Sequence, residues 1–144
     1  MDKLVNAIKI AFASEYAFAL KAQNFHWNVE GPLFQQFHAL FERIYDEVYG
    51  SIDDFAENIR KLGSYTPGSY TRLSMLTMIE DETNVLSKDE MLSELLIDND
   101  KVLRVMKLVY DLAEREGQHG LSNFLAERLD AHQKHGWMLR SSLK

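Results

Sequence analysis

Three clusters of Gly and Pro punctuate this sequence, and they leave long stretches with little to break a helix. Gly31-Pro32 is the first, Gly63 through Pro67-Gly68 the second, and Gly117 to Gly120 the third. Gly and Pro interrupt helices more strongly than any other residues, and there are only 7 Gly and 2 Pro in 144 residues. Between the clusters, apolar residues recur at three- and four-residue steps, the period of an amphipathic helix. Segment A, Asp2 to Val29, carries Leu4, Ile8, Ala11, Phe12, Phe18, Ala19 and Ala22. Segment B opens at Pro32, a residue suited to a first helical turn, and runs as one helix to about Gly63. Its stripe is Phe34, Phe37, Phe41, Ile44, Val48, Ile52, Phe55 and Ile59.

Segment C starts at Ser87-Lys88-Asp89-Glu90, which has the spacing of a capping box. It continues through Leu92, Leu95, Val102, Val105, Val109 and Leu112 to about Glu116. Segment D covers Leu121 to Leu143. The B–C connection is long for a helical bundle, and Thr71 to Ile79 is apolar enough for a short helix within it. The expected fold is therefore all-α: a ferritin-like four-helix bundle with one long crossover that holds a short extra helix. The length fits a single domain over residues 1–144.

Composition narrows the function. Hydrophobic residues make up 46% of the chain, enough for a real core. The formal net charge of −6 argues against a nucleic-acid binder, since phosphate contacts need clustered Lys and Arg. With 0 Cys, disulfides, thiolate metal sites and cysteine nucleophiles are all excluded. No apolar run is long enough for a membrane span, and the N-terminus lacks the layout of a signal peptide. A cytoplasmic location is the expectation.

Polar residues capable of chemistry concentrate between Gln23 and Arg60. His26 lies near the end of segment A, followed by Trp27. Segment B carries His38 and Glu42, then Asp53 and Glu57, each pair at i, i+4 and hence on one helix face. Imidazole and carboxylate donors suit iron, zinc or manganese. Taken singly, each is more often a solvated residue than a ligand. Together they form a pattern with a geometric consequence. His38 and Asp53 lie about 22 Å apart along one helix, so the two pairs cannot bind one metal within a chain. The turn at Gly31-Pro32 returns His26 to the end that holds His38. His26, His38 and Glu42 then form one half-site and Asp53 with Glu57 another. A two-fold pairing of segment B with its mate would join the halves across an interface, twice per dimer. Glu116-x-x-His119 has the spacing used in di-iron bundles, but Gly117 interrupts it, so chance is the better reading. His132 and His135 read as packing or surface residues, and Trp137, Met138 and Leu139 as core or interface contacts.

His26-Trp27-Asn28-Val29-Glu30-Gly31, Phe34-x-x-Phe37-His38 and Asp53-x-x-Ala56-Glu57 together resemble the motif of Dps-type miniferritins. The stretch from His132 to Leu139 resembles that family's closing helix, and the likeness spans essentially the whole chain. The resemblance implies a hollow dodecamer built on two-fold dimers, with di-iron ferroxidase sites at the dimer interfaces. It implies oxidation of Fe(II), often by hydrogen peroxide rather than oxygen, and storage of the ferric product, protecting against oxidative damage. Matched by position, His26, His38, Asp53 and Glu57 would be ligands or near-ligands, Glu57 a bridging carboxylate, and Trp27 an electron donor beside the iron.

The sequence departs from the family pattern at three places. Glu42 stands where Asp is usual, so a longer side chain would ligate or displace the second iron. Asn58 replaces the Arg that usually follows the site Glu. The last helix commonly opens with Asp-x-Thr-x-Asp, whose acids line an iron-entry pore, whereas this chain reads His119-Gly120-Leu121-Ser122-Asn123. Glu114 and Glu116, with His119 and Asn123, are the candidates for a rerouted entrance. DNA-binding members often use a mobile basic arm. Here only Lys3 lies near the start and the end reads Ser141-Ser142-Leu143-Lys144, so no DNA binding is expected. A DNA-compacting protein with reduced iron chemistry is the rival reading, and a helical assembly module without chemistry is a third.

Overall fold

A computed structural model describes residues 1–144. Six helical segments follow one another: α1 (Asp2–Asn28), α2 (Phe34–Tyr49), α3 (Ile52–Lys61), α4 (Tyr70–Leu76), α5 (Lys88–Arg115) and α6 (His119–Ser142). The long helices α1, α2–α3, α5 and α6 make the bundle, and α4 lies in the crossover between α3 and α5. The expected all-α ferritin-like bundle with its extra short helix is the fold observed.

Apolar periodicity translates directly into burial. Every apolar residue assigned to the stripe of segment A is buried, and 29 buried apolar residues form one continuous cluster. The helix ends also follow local chemistry. Ser87 Oγ accepts from the Glu90 amide while the Glu90 carboxylate accepts from the Ser87 amide, so the capping box at the start of α5 is complete. The α1–α2 turn needs two left-handed residues, Gly31 at φ 103° and Leu33 at φ 67°. Only Gly takes the first without strain. The turn delays the start of α2 to Phe34, two residues after Pro32.

Segment B is not one helix. It breaks at Gly50-Ser51, where the Ser51 amide turns back to the Val48 carbonyl. The Ser51 hydroxyl bonds the same carbonyl at 2.6 Å and the Glu15 carboxylate at 2.8 Å. A hydroxyl that competes for a helix carbonyl loosens the ladder at that point. The smaller shifts elsewhere, such as α6 beginning at His119 rather than Leu121, are end effects.

The crossover is fastened by Lys21 of α1. Its ammonium meets Glu94 and Asp98 of α5, each at 2.8 Å, and donates to the Glu80 carbonyl at 3.0 Å. Burial opposes the charge, but the hydrogen bonds that Lys21 donates to Asp98 and Glu94 outweigh it and hold the Lys21 pKa above its ordinary value. No helix is long and apolar enough to cross a membrane.

Candidate metal centre

The α1–α2 turn brings His26 and His38 face to face. Their rings stack at 3.7 Å between centroids with 15° between planes. Each Nδ1 donates to the other residue's main-chain carbonyl, at 2.7 Å from His26 and 2.6 Å from His38. A carbonyl oxygen only accepts, so in the neutral rings both protons sit on Nδ1 and both Nε2 lone pairs are left for a ligand. Histidines that ligate metals commonly anchor their second nitrogen in this way. Phe34 stacks on the outer face of His38 at 5.0 Å, and Tyr45 meets His26 edge-on at 5.2 Å.

The other candidate ligands lie elsewhere on the surface. Glu42 is exposed on α2, one turn beyond His38, and Asp53 and Glu57 are exposed on α3, past the Gly50-Ser51 break. Asp53 stands one turn before Glu57, and its proximity, through hydrogen bonding first and like charge second, raises the Glu57 carboxyl above its ordinary value. Within one chain, no three His, Asp or Glu side chains converge on a point that could hold a metal. The structure brings His26 and His38 together, and Asp53 with Glu57, but does not bring the two pairs to each other. Trp27 is 60% exposed and borders a cavity of about 410 Å³ with Lys21, Asn24 and Glu82.

The pore candidates gather at the α5–α6 turn. Glu116 is paired with the amino group of Met1 at 2.8 Å, and Glu114 lies 3.5 Å from His119. Hydrogen bonds from Ser122 and His119 hold Glu114 below the ordinary carboxylate value. Asn123 is exposed beside them. Glu116 and His119 fall on different helical elements, one closing α5 and the other opening α6.

His132 and His135 are not simply packed or surface residues. Both are buried in a charged network that joins four helices. His132 faces Glu15 through Nε2 at 2.6 Å and Asn99 Oδ1 through Nδ1 at 2.8 Å. The Asn99 amide in turn donates to the His132 carbonyl at 2.8 Å. His135 donates to Glu47 at 2.8 Å, and Arg128 bridges Glu47 and Glu15. Burial alone would push the carboxyls of Glu15 and Glu47 up. The cationic and hydrogen-bonding partners win, and both are held below the ordinary range, Glu15 by His132, Arg128 and Ser51, and Glu47 by His135 and Arg128. The sequence carried a signal for this network. Glu15 sits between Ala11 and Ala19 on the apolar stripe of α1, and Arg128 and His132 continue the buried series of Leu121 and Leu125 on α6. A charge inside an apolar stripe points to a buried partner. Of the C-terminal trio, Leu139 is buried, Met138 half-buried and Trp137 exposed.

Residues 5–144 match the family model for the ferritin-like domain. The DNA protection during starvation protein of Helicobacter pylori is 32% identical over 98% of this chain and 99% of its own length. Among solved structures, a Dps protein from Bacillus brevis superposes with a TM-score of 0.94 at 27% identity, covering 99% of this chain and 96% of that one. A Dps protein from Vibrio cholerae, described as a member of a superfamily of ferritin-like diiron-carboxylate proteins, gives a TM-score of 0.94 at 27% identity, over 99% and 90% of the two chains. With fold, motif and near-complete coverage in agreement, the chain belongs to the ferritin-like family as a Dps-type miniferritin.

Proposed function

We propose that this protein is a ferroxidase that oxidises Fe(II), with hydrogen peroxide as its preferred acceptor, and stores the ferric product inside a hollow shell of twelve copies. The observation that supports this most is the His26–His38 pair, two imidazoles locked by main-chain carbonyls with both Nε2 atoms free. The second half of the site is the partner copy's carboxylate pair, equivalent to Asp53 and Glu57. The imidazoles hold and orient Fe(II), while the carboxylates neutralise charge as it becomes Fe(III). Two Fe(II) supply the two electrons that reduce one peroxide to two hydroxides, so no hydroxyl radical is released. Glu42, one turn from His38, is within reach of a second iron.

An exposed apolar surface supports assembly. Leu20, Trp27, Tyr65, Tyr70, Met75 and Met78 are all exposed on α1, α4 and the neighbouring loops. Apolar surface of this kind is characteristic of an interface. Glu114, Glu116, His119 and Asn123 would line the entrance for Fe(II). We place the protein in the cytoplasm and assign it no DNA contacts, because a net charge of −6 per chain, multiplied over a shell, repels phosphate. A gel shift in ~150 mM salt is expected to show free DNA.

The deciding experiment combines Asp53→Ala with Glu57→Ala. Rapid peroxide-dependent Fe(II) oxidation, followed by ferric absorbance, should disappear while the particle size is unchanged. An unaltered rate would remove these residues from the site.

A further inference from the structure

Arg60 follows Glu57 by three residues on α3, the spacing at which a helical carboxylate and a later cation ordinarily pair. Its guanidinium is turned to the loop instead. It lies over the Tyr65 ring, 4.6 Å from the centroid, and donates to the Ser64 carbonyl at 3.3 Å. The loop is built to meet it. Gly63, at φ 89°, reverses the chain at the end of α3. The Ser64 amide then bonds back to the Ile59 carbonyl at 3.3 Å, and the Thr66 hydroxyl donates to the Ala56 carbonyl at 2.7 Å. Residues 63–66 therefore fold back along α3 and fasten to the residue just before Glu57. An exposed cation–π contact is worth at least as much as an exposed i, i+3 ion pair. With the Ser64 carbonyl added, the loop outcompetes Glu57 for the guanidinium.

We propose that Tyr65 is a positioning residue for the metal centre: by holding Arg60 over its ring, it keeps a competing cation off the carboxylates of Asp53 and Glu57. The proposal rests on the ferroxidase reading above, in which those carboxylates are ligands. Released from the ring, Arg60 would swing one turn back along α3 and engage Glu57. It would then occupy oxygen lone pairs that a divalent cation needs, and its charge would repel that cation directly. Neither Arg60 nor Tyr65 touches the metal; Tyr65 acts through Arg60 alone. The neighbouring position strengthens the point, because Asn58 brings no charge to this turn of the helix. Arg60 is thus the guanidinium nearest in sequence to the carboxylate pair, and the loop takes it out of competition.

The test titrates the assembled protein with Co(II), followed by its visible absorption, at low ionic strength. Tyr65→Leu keeps an apolar side chain on the surface and loses the aromatic face. Its dissociation constant should rise about two- to three-fold, the strength of an exposed i, i+3 pair, with the particle size unchanged. Tyr65→Phe keeps the ring and should bind as the unaltered protein does. Adding Arg60→Gln to Tyr65→Leu should restore the original affinity, because the released cation is then gone. The loss in Tyr65→Leu should also shrink as salt is raised, which a change of packing would not do. Equal affinity in Tyr65→Leu and the unaltered protein, or a loss that persists in the double variant, would overturn the role of Tyr65 and leave the site standing. Co(II) binding that is indifferent to Glu57→Ala would remove the carboxylates from the site and overturn both.

Discussion

Arg128 lies 2.9 Å from the carboxylate of Glu15, a residue 113 positions away and wholly removed from solvent. The same guanidinium holds Glu47, so one cation satisfies two carboxylates from different helices. Arg128→Met would leave Glu15 to His132 and Ser51 and Glu47 to His135, and should cost about 3 kcal/mol, the lower end of what breaking a buried ion pair from one side costs. Urea denaturation would measure it. Adding Glu15→Gln to Arg128→Met should recover part of the loss, because the remaining buried charge is then removed.

The same network sets an acid limit. Glu15 and Glu47 are held below the ordinary carboxylate value of 4.5, so the unfolded chain binds more protons than the folded one as pH falls through that region. Their contribution is complete above 4.5 and drains away below it. The urea midpoint should therefore hold steady at pH values above this range and decline progressively under more acidic conditions. In Arg128→Met the decline should be shallower.

The proposed division of the ligands between two copies makes a mixing prediction. His26→Ala and Glu57→Ala chains should each be inactive alone. In a mixed dimer, one of its two sites combines both lesions and the other carries neither. Equal amounts refolded together should regain about a quarter of the normal peroxide-dependent rate, because half of the dimers are mixed and each has one intact site. No recovery in correctly sized mixed particles would overturn the division of the site between two copies.

Gly136 sets how closely α6 approaches α5. A Cβ there would lie 3.0 Å from the Asn99 amide nitrogen and 3.2 Å from the Arg140 guanidinium. The Asn99 amide is the group that bonds the His132 carbonyl. Gly136→Ala should lower stability by about 1–3 kcal/mol through overpacking, read as a lower melting temperature.

The bundle was largely legible because its core obeys one periodicity. Residues such as Phe41, Ile44 and Val48 recur at helical steps and are all buried. The break at Gly50-Ser51 was not legible, because the stripe from Val48 to Phe55 passes through it in phase. Its cause is the Ser51 hydroxyl, whose partner Glu15 is 36 residues away. His26 and His38 could be paired from the turn between them, since a tight reversal forces them together. The reciprocal carbonyl bonds could not be foreseen, as they depend on the exact offset that Gly31 and Leu33 impose. The position of Glu15 and Arg128 inside apolar stripes marks them as buried, but which partner each takes is not legible, because the two sit at opposite ends of the chain.

The distance between the histidine pair and the carboxylate pair carries one last consequence. A solitary chain owns half of a receptor at each of two places and a whole receptor at neither. Under the proposed arrangement, a newly made copy is inert toward iron, and reactivity begins only when a second copy arrives. Fe(II) would then not be oxidised on a solitary chain. On that proposal the helix spacing makes the pairing of two chains precede the chemistry.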